Sequence, residues 1–398
     1  MKSEADLFAG AHRLEDMSIS LIRIVMDKAK AMADAGAPVV PFVAGEPNFN
    51  TPEPIKEAAI QAIRENYTHY TSNRGLPALR ACIARQMQAD TGLRYDPETE
   101  IVVTSGGAEA INNALIAMLN PGDEVIVFSP AFINYENVAR ICGASVIHIP
   151  LKKKNGFQID VDEVRAKLTP KTKMIVMNNP CNPTGVLYTK ETLEQFSKLI
   201  VENNLLAFSD EIYSRLTYDG QSFYSLASFP GMRERTIVMN GFSKTYAMTG
   251  WRIGYLCADK RMMPHIMKVH QYSTTCSPTF IQVGLAKAME APETKRAVDD
   301  MVAAFTQRRR LILDGLHTIP QLDFVTPRGA FYVFVDVSGT GLSGEEFSNR
   351  LLEKTYVATV PGIGLGKECV DFVRFSYATS DENIIEGIKR LRTFTAEL

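Results

Sequence analysis

Long apolar runs, blocks of one charge and paired cysteines are all missing from this sequence of 398 residues. No stretch approaches the length of a membrane span, so a membrane protein is not expected. Basic and acidic residues nearly balance, 43 against 45, and no arm or block carries a strong excess of Lys and Arg, so nucleic acid is not an expected partner. The six cysteines are scattered and form no CxxC, which disfavours disulfides and zinc and favours a reducing compartment.

The start of the chain lacks the pattern of a targeting segment. The opening stretch "MKSEADLFAGAHRLED" mixes acidic with basic side chains and has no apolar core, so we expect neither a signal peptide nor a transit peptide. The six histidines show no metal-binding spacing, and no metal site is predicted. These features favour a cytoplasmic protein.

Short apolar runs alternate with helical patterns across residues 100–258, as in "EIVVTS", "DEVIVFS", "TKMIVMN" and "RTIVMNG". Several runs lack a period of two, which indicates strands covered on both faces. The pattern predicts an α/β fold with a mainly parallel sheet flanked by helices. In such sheets ligands bind beyond the carboxyl ends of the strands, so motifs there carry the most weight.

The C-terminal part has a different pattern. A long helical pattern over Pro292–Leu316 precedes short strands such as "GAFYVFVDV" and "DFVRFSYA", and a last helix starts at Asp381. We predict a smaller α/β domain built from both chain ends. The predicted parts are an N-terminal segment, 1–45, that packs with the small domain, a large cofactor-binding domain, 46–290, and the small C-terminal domain, 291–398.

The turn "TSGGAEA" joins a predicted strand to a predicted helix. Gly106 and Gly107 let the backbone approach a ligand closely, and the helix dipole favours an anion there. Ser105 adds a hydroxyl group. The turn is therefore a candidate phosphate site, and a tight structural turn is the alternative.

Polar residues follow two further predicted strands. Asp210 ends the run in "NLLAFSDEIY", and Glu211 must face the opposite side of the strand. Asp210 is either a site carboxylate or a helix cap, and Tyr213 shares its face if the chain turns helical there. The loop "NNPCNPTG" is either simply rigid or holds Asn182 in place, whose amide can both donate and accept.

The segment "SKTYAMTGWRIGY" sets two cations in apolar surroundings. Arg252 suits bidentate phosphate binding. Lys244, with its pKa lowered by an apolar site, can condense with an aldehyde. A ligand with both groups is pyridoxal 5′-phosphate, which also needs a carboxylate at its ring nitrogen, donors at its hydroxyl and a flat group on its face. Those places can be filled by Asp210, Tyr213, Asn182 and Phe132.

These motifs carry a family resemblance over the whole chain. The sequence resembles the class I aminotransferases, of the aspartate aminotransferase fold (fold type I), in stretches that run in the family's order. They are "AGEPNFNTP", "YTHYTSNRGLPALR", "SGGAEA", "SPAFINY", "NNPCNPTG", "SDEIY", "SKTYAMTGWRIGY" and "VRFSYATS".

The resemblance implies a role for each candidate residue. Lys244 would form the Schiff base with pyridoxal 5′-phosphate and carry the proton, and Asp210 would bind the ring nitrogen. Tyr213 and Asn182 would bind the ring hydroxyl. The remaining implied residues are Phe132 on the ring face, Ser105, Gly106, Gly107, Ala108, Ser243 and Arg252 at the phosphate, Arg374 with Asn182 and the Gly45 backbone at the substrate α-carboxylate, and Tyr70 at the phosphate of the partner subunit of a homodimer.

The implied reaction is ping-pong transfer of an amino group from an L-amino acid to a 2-oxo acid, with 2-oxoglutarate as the expected acceptor. Two positions depart from relatives selective for aspartate. Phe132 stands where tryptophan is frequent, and Ala108 stands where some acid-selective relatives have lysine. Neither side chain supplies a positive charge or an indole donor that could bind the side-chain carboxylate of a substrate. The donor is therefore expected to be neutral, aromatic or aspartate-like, with neutral or aromatic amino acids at least matching aspartate.

Three other functions were compared with amino transfer. A pyridoxal-phosphate lyase acting at the β or γ carbon would share every cofactor residue and stays the main alternative. A nicotinamide dehydrogenase needs GxGxxG after an early strand, which is absent, and "PGIGLG" has the wrong spacing. A regulator on this fold would carry a DNA-binding appendage, and no segment has the required length or charge.

Overall fold

The apolar runs form strands that alternate with helices along most of the chain. The structure is a computed structural model that describes residues 8–15, 17 and 20–398. The strands are β1 (Val40–Pro41), β2 (Ile101–Thr104), β3 (Glu124–Ser129), β4 (Ser145–Pro150), β5 (Thr172–Asn178), β6 (Leu206–Asp210), β7 (Thr236–Gly241), β8 (Gly254–Cys257), β9 (Asp323–Phe324), β10 (Tyr332–Asp336), β11 (Val357–Ala358), β12 (Val360–Pro361) and β13 (Phe372–Ser376).

The α-helices follow the predicted helical patterns. They are α1 (Leu21–Asp34), α2 (Glu53–Arg64), α3 (Pro77–Thr91), α4 (Gly106–Met118), α5 (Asn134–Ile141), α6 (Val161–Lys167), α7 (Lys190–Glu202), α8 (Met263–Ser273), α9 (Thr279–Ala288), α10 (Pro292–His317), α11 (Gly344–Thr355) and α12 (Asp381–Ala396). Side chains fix several starts, because the Thr189 hydroxyl accepts the Thr192 amide before α7 and Ser380 accepts the Asn383 amide before α12.

A seven-stranded sheet lies at the centre, in the order β2-β8-β7-β6-β5-β3-β4. All of its strands except β8 point the same way. Alternate residues of β3 enter different cores: Ile126 packs on the side of α6 and α7, and Val127 packs on the side of α4 and α8. Burial on both faces explains why the strands lack polar alternation, and it confirms the predicted α/β class.

A smaller sheet, in the order β12-β13-β10-β9, lies with α10, α11 and α12 in the C-terminal part. The strand β1 pairs in parallel with β11, so the N-terminal part of the chain joins this region. The boundaries at 45 and 290 stay predictions. Within the predicted N-terminal segment and the opening stretch that lacks a targeting pattern, residues 1–7, 16, 18 and 19 lie outside the described residues.

Two further predictions concern cysteines and membranes. All six cysteines are free in the structure. In the described part of the chain, none of the helices combines the length and the apolar character that crossing a membrane requires.

Candidate active site

A cavity of about 700 Å³ opens at the carboxyl ends of the parallel strands. Strands β5 and β6 contribute their last residues, Asn178 and Asp210, and the segments after β3 and β7 contribute Phe132 and Lys244. Side chains from α1 and from the small sheet close the other side. This is where a mainly parallel sheet is expected to bind its ligand.

Lys244 lies in the turn after β7 and points into this cavity. Its Nζ donates to the Gly45 carbonyl at 2.6 Å. Burial lowers the pKa of Lys244 to about 8; Glu46 opposes this change and Arg252 adds to it. A sizeable fraction of the amine is therefore neutral near physiological pH, and a neutral amine is the form that attacks a carbonyl carbon.

Asp210 and Glu211 face opposite sides of the sheet, as the strand period predicts. Asp210 lines the cavity, where it accepts the Tyr135 hydroxyl at 2.5 Å and the Ile212 amide at 3.1 Å. Burial raises the pKa of Asp210 to about 6, against the effect of these hydrogen bonds. Glu211 instead accepts the hydroxyls of Ser209 and Ser225 beneath the sheet. Asp210 thus caps a turn and also presents a carboxylate to the cavity.

The glycine turn after β2 packs against Arg252. Gly106 has a φ of +82°, which strains any other residue, and a Cβ atom there would lie 2.6 Å from an Arg252 Nη atom and would displace the guanidinium. Arg252 is held in turn by its hydrogen bond to the Thr249 carbonyl at 3.0 Å. Gly107 and Ala108 line the cavity with Ser243. The start of α4, where backbone amides lack partners within the helix, and a guanidinium therefore adjoin one wall.

Arg374 is a buried cation at the other end of the cavity. It is only 2% exposed. Its Nη atoms donate to the Asn182 side-chain oxygen at 3.0 Å and to the Val43 carbonyl at 3.1 Å, whereas its Nε has no hydrogen-bond partner. Its guanidinium lies 4.5 Å from the centre of the Tyr332 ring. No carboxylate of the described residues pairs with it.

The remaining predicted residues divide into two groups. The Tyr213 hydroxyl lies 3.0 Å from that of Tyr332, and Phe132 packs edge-on against Tyr135, with both Tyr213 and Phe132 on the cavity wall. Ser105 directly precedes α4 and is not among the residues that line the cavity. Tyr70 does not line this cavity and is 86% exposed.

Sequence reasoning missed several cavity residues, which are Arg23, Glu46, Tyr135, Asn178 and Tyr332. Tyr135 lies in the quoted stretch "SPAFINY", so that motif contained a usable signal. Asn178 fixes the "NNPCNPTG" loop, because its side chain accepts the Asn182 amide at 2.8 Å and donates to the Asp210 carbonyl at 3.0 Å.

Comparison with known proteins identifies this arrangement. The family model described as aminotransferase class I and II matches residues 37–391. The chain belongs to this family. The aminotransferase is 40% identical to an aspartate aminotransferase of Pyrococcus abyssi, over 98% of this chain and 99% of that protein. It is 38% identical to aromatic-amino-acid aminotransferase 2 of Thermococcus litoralis, over 97% and 98% of the two chains.

A solved structure gives the same fold. The aspartate aminotransferase of Thermus thermophilus, determined with maleate, superposes with a TM-score of 0.92 at 39% identity, covering 97% of this chain and 99% of that one. Class I aminotransferases of this fold use pyridoxal 5′-phosphate. The predicted family, enzyme class and cofactor are confirmed.

The cavity residues fit this cofactor. The cavity holds the Lys244 amine, with a pKa of about 8, for the aldehyde and the buried Asp210 carboxylate for the ring nitrogen. The glycine turn beside the Arg252 guanidinium suits the phosphate. Among the described residues, no three His, Cys, Asp or Glu side chains are grouped so that they could hold a metal ion.

Proposed function

We propose that this aminotransferase moves the amino group of a neutral, aromatic or aspartate-like L-amino acid to 2-oxoglutarate by a ping-pong route. The observation that carries the proposal is Arg374. A guanidinium buried at 2% exposure, with a free Nε and no described carboxylate beside it, is costly unless an anionic ligand pairs with it. Amino acids and 2-oxo acids both carry such an α-carboxylate.

The buried arginine of the cavity supports ping-pong exchange. Within the described residues that line the cavity, Arg374 is the cation buried at the small-sheet end. Donor and acceptor would both place their α-carboxylate on it, since a planar fork of donors matches a carboxylate. Two substrates that need the same group must bind in turn, which requires the enzyme to keep the amino group in between.

The proposed roles follow the contacts. Bound pyridoxal 5′-phosphate supplies an electron sink for the pair left when the substrate α-carbon loses its proton. Lys244 Nζ holds the cofactor and afterwards carries the proton, with the Gly45 carbonyl at 2.6 Å orienting it. Asp210 keeps a negative charge at the ring nitrogen. The other proposed contacts are Tyr213 and Asn182 to the ring hydroxyl, Phe132 to the ring face, Ser105, Gly106, Gly107, Ala108, Ser243 and Arg252 to the phosphate, Asn182 and the Gly45 backbone beside Arg374 at the substrate, and Tyr70 to the partner subunit's phosphate.

A second carboxylate on the acceptor needs a second cation. The described cavity lining contains four basic side chains, and Lys244, Arg252 and Arg374 already have proposed roles. The fourth is Arg23, which is exposed in the first turn of α1 and makes no ion pair with a described residue. The Thermus relative was solved with maleate, a dicarboxylate, which supports acceptance of such substrates by this family.

Arg23→Gln should raise the KM for 2-oxoglutarate about tenfold, because it removes one charge-assisted carboxylate contact. The KM for a 2-oxo acid with an uncharged aromatic side chain should stay unchanged. Lys30→Gln, which removes an exposed cation from the same helix, is the matched control. Equal changes for both acceptors, or no change for either, would refute the role of Arg23.

Because Arg23 is exposed, it can remain in water when an uncharged side chain occupies the cavity. This supports broad donor use. A panel of amino acids with 2-oxoglutarate tests it, with tyrosine or phenylalanine expected to match or exceed aspartate in kcat/KM. Ala108→Lys should then shift preference toward acidic donors. Strong selectivity of the wild type for aspartate would contradict the proposal.

Tyr70 supports a homodimer with shared sites, because it is 86% exposed and does not line the cavity of its own subunit. Tyr70→Phe should weaken cofactor binding in trans. A heterodimer of a Tyr70→Phe subunit with a Lys244→Ala subunit combines an intact Lys244 and an intact Tyr70 in one site, so mixing should restore activity at limiting cofactor. Tyr356→Phe, on a remote exposed tyrosine, should need no rescue. Full activity of a monomer would exclude the shared site.

A further inference from the structure

A buried ion pair lies directly behind the glycine turn. Glu109, in the first turn of α4, accepts the Ser105 amide at 2.5 Å through Oε2. Its Oε1 lies 2.7 Å from His270 Nδ1 on α8 and accepts the Asn113 side-chain amide at 2.8 Å. The His270 side chain is completely buried and that of Glu109 is 10% exposed. Neither residue has a role in the proposed chemistry.

The contacts determine how many protons this pair holds. His270 Nε2 lies 2.7 Å from the Asn73 carbonyl, which can only accept, so Nε2 carries a hydrogen. Nδ1 faces a carboxylate at 2.7 Å, and this contact also needs a proton between the two atoms. Burial alone would raise the pKa of Glu109, but hydrogen bonds from His270, Ser105 and Asn113 lower it below its usual range. The pair is therefore an imidazolium and a carboxylate, neutral as a whole.

Neutrality matters because of where Glu109 lies. Its carboxylate braces the turn whose amides are proposed to bind the cofactor phosphate. A bare carboxylate in the first turn of α4 would oppose a phosphate there, since like charges repel strongly in partly buried surroundings. His270, which contacts Glu109 and does not line the cavity, cancels this charge.

The pair also links the glycine turn to the chain segment that carries Tyr70, the other predicted phosphate contact. His270 Nε2 binds the Asn73 carbonyl, and Asn73 lies three residues after Tyr70. The Asn73 side chain donates to the Thr275 carbonyl, and the Thr279 hydroxyl donates to the His69 carbonyl at 2.6 Å, so this segment is fastened on both sides.

We propose that Glu109 and His270 are a positioning pair for the cofactor phosphate: the carboxylate braces the Ser105–Gly107 turn, and the imidazolium removes the repulsion that this carboxylate would exert. The inference rests on the proposed phosphate contacts of that turn. Both residues act through the turn and touch no reacting atom.

Titration of the apoenzyme with pyridoxal 5′-phosphate, and with pyridoxal lacking the phosphate, tests the pair. His270→Gln leaves the carboxylate uncompensated and should raise the Kd for pyridoxal 5′-phosphate about tenfold, with the Kd for pyridoxal unchanged. Glu109→Gln keeps an acceptor for the Ser105 amide without the charge and should bind the phosphate ligand at least as tightly as the wild type. The double variant should return to near wild-type affinity. His265→Gln, exposed on α8, is the control.

Three results would overturn the pair's role. The first is an unchanged Kd for pyridoxal 5′-phosphate in His270→Gln, and the second is an equal rise of the Kd for pyridoxal in that variant. The third is a tenfold higher Kd for pyridoxal 5′-phosphate in Glu109→Gln, which is the result expected if the carboxylate acted only as a structural brace. If His270→Gln does not fold, Glu109→Gln alone decides by the direction of its change. A wild type that binds pyridoxal 5′-phosphate no better than pyridoxal would refute the proposed phosphate site itself, and this inference with it.

Discussion

Lys244→Ala is expected to lower turnover by roughly 10³-fold or more, because one amine serves as the attachment point and as the proton carrier. The cofactor should still bind through its phosphate and ring contacts, without a covalent link. Lys244→Arg keeps a cation that cannot condense with an aldehyde, so it should be equally inactive. That result would show that the reactive amine of Lys244, and not its positive charge, is required. Borohydride reduction and peptide mapping should label Lys244 in the wild type. A label on another lysine would refute the assignment.

The buried position of Lys244 also predicts a pH dependence. Burial lowers the pKa of its amine to about 8, and only the neutral amine attacks an aldehyde. The rate of cofactor attachment to the apoenzyme should therefore rise with pH and level off above about 8. Stopped-flow absorbance of the bound cofactor measures this rate. A flat profile below that pH would mean that the amine is already neutral.

Asp210→Asn should slow removal of the substrate α-proton by about a hundredfold or more, equivalent to about 3 kcal/mol, as for loss of other preorganised charges. The carboxylate favours a protonated ring nitrogen, and the amide keeps its shape without its charge. Cofactor affinity should change little, because Arg252 and the glycine turn hold the phosphate separately. Asp210→Glu should retain more activity than Asp210→Asn, limited by its displaced oxygens.

Single-turnover kinetics with an α-deuterated amino acid separates this step from binding. Glu211→Gln is the matched control, because Glu211 is the adjacent buried acid but faces Ser209 and Ser225 across the sheet. The α-proton step should remain near the wild-type rate in that variant. If Asp210→Asn also leaves the step unchanged, Asp210 serves only as the cap of the turn that begins at Ile212.

The sequence predicts best where one local rule decides. The alternation of side chains along a strand is enough to separate Asp210 from Glu211. The order of strands and helices indicates that Gly106, Asp210 and Lys244 lie at or just after the carboxyl ends of strands of one sheet. The contact between Asn182 and Arg374 joins residues 192 positions apart, so only the family resemblance could suggest it.

Other residues gave no readable signal. Arg23 is one of three basic residues on the amphipathic helix α1, and tertiary packing of the N-terminal part brings it to the cavity. His270 resembles any buried histidine until its distances to Glu109 and Asn73 are known. Composition and periodicity cannot identify either residue, because its role depends on partners far away in the sequence.

The enzyme should hold the amino group between two half-reactions, and a stoichiometric experiment without acceptor tests this most directly. The loaded enzyme is mixed with an amino-acid donor, and the 2-oxo acid and ammonia released are measured. We predict about one equivalent of 2-oxo acid per active site, no ammonia, and recovery of the original cofactor absorbance on addition of 2-oxoglutarate. Continued release of 2-oxo acid together with ammonia in the absence of acceptor would contradict amino transfer and favour a lyase.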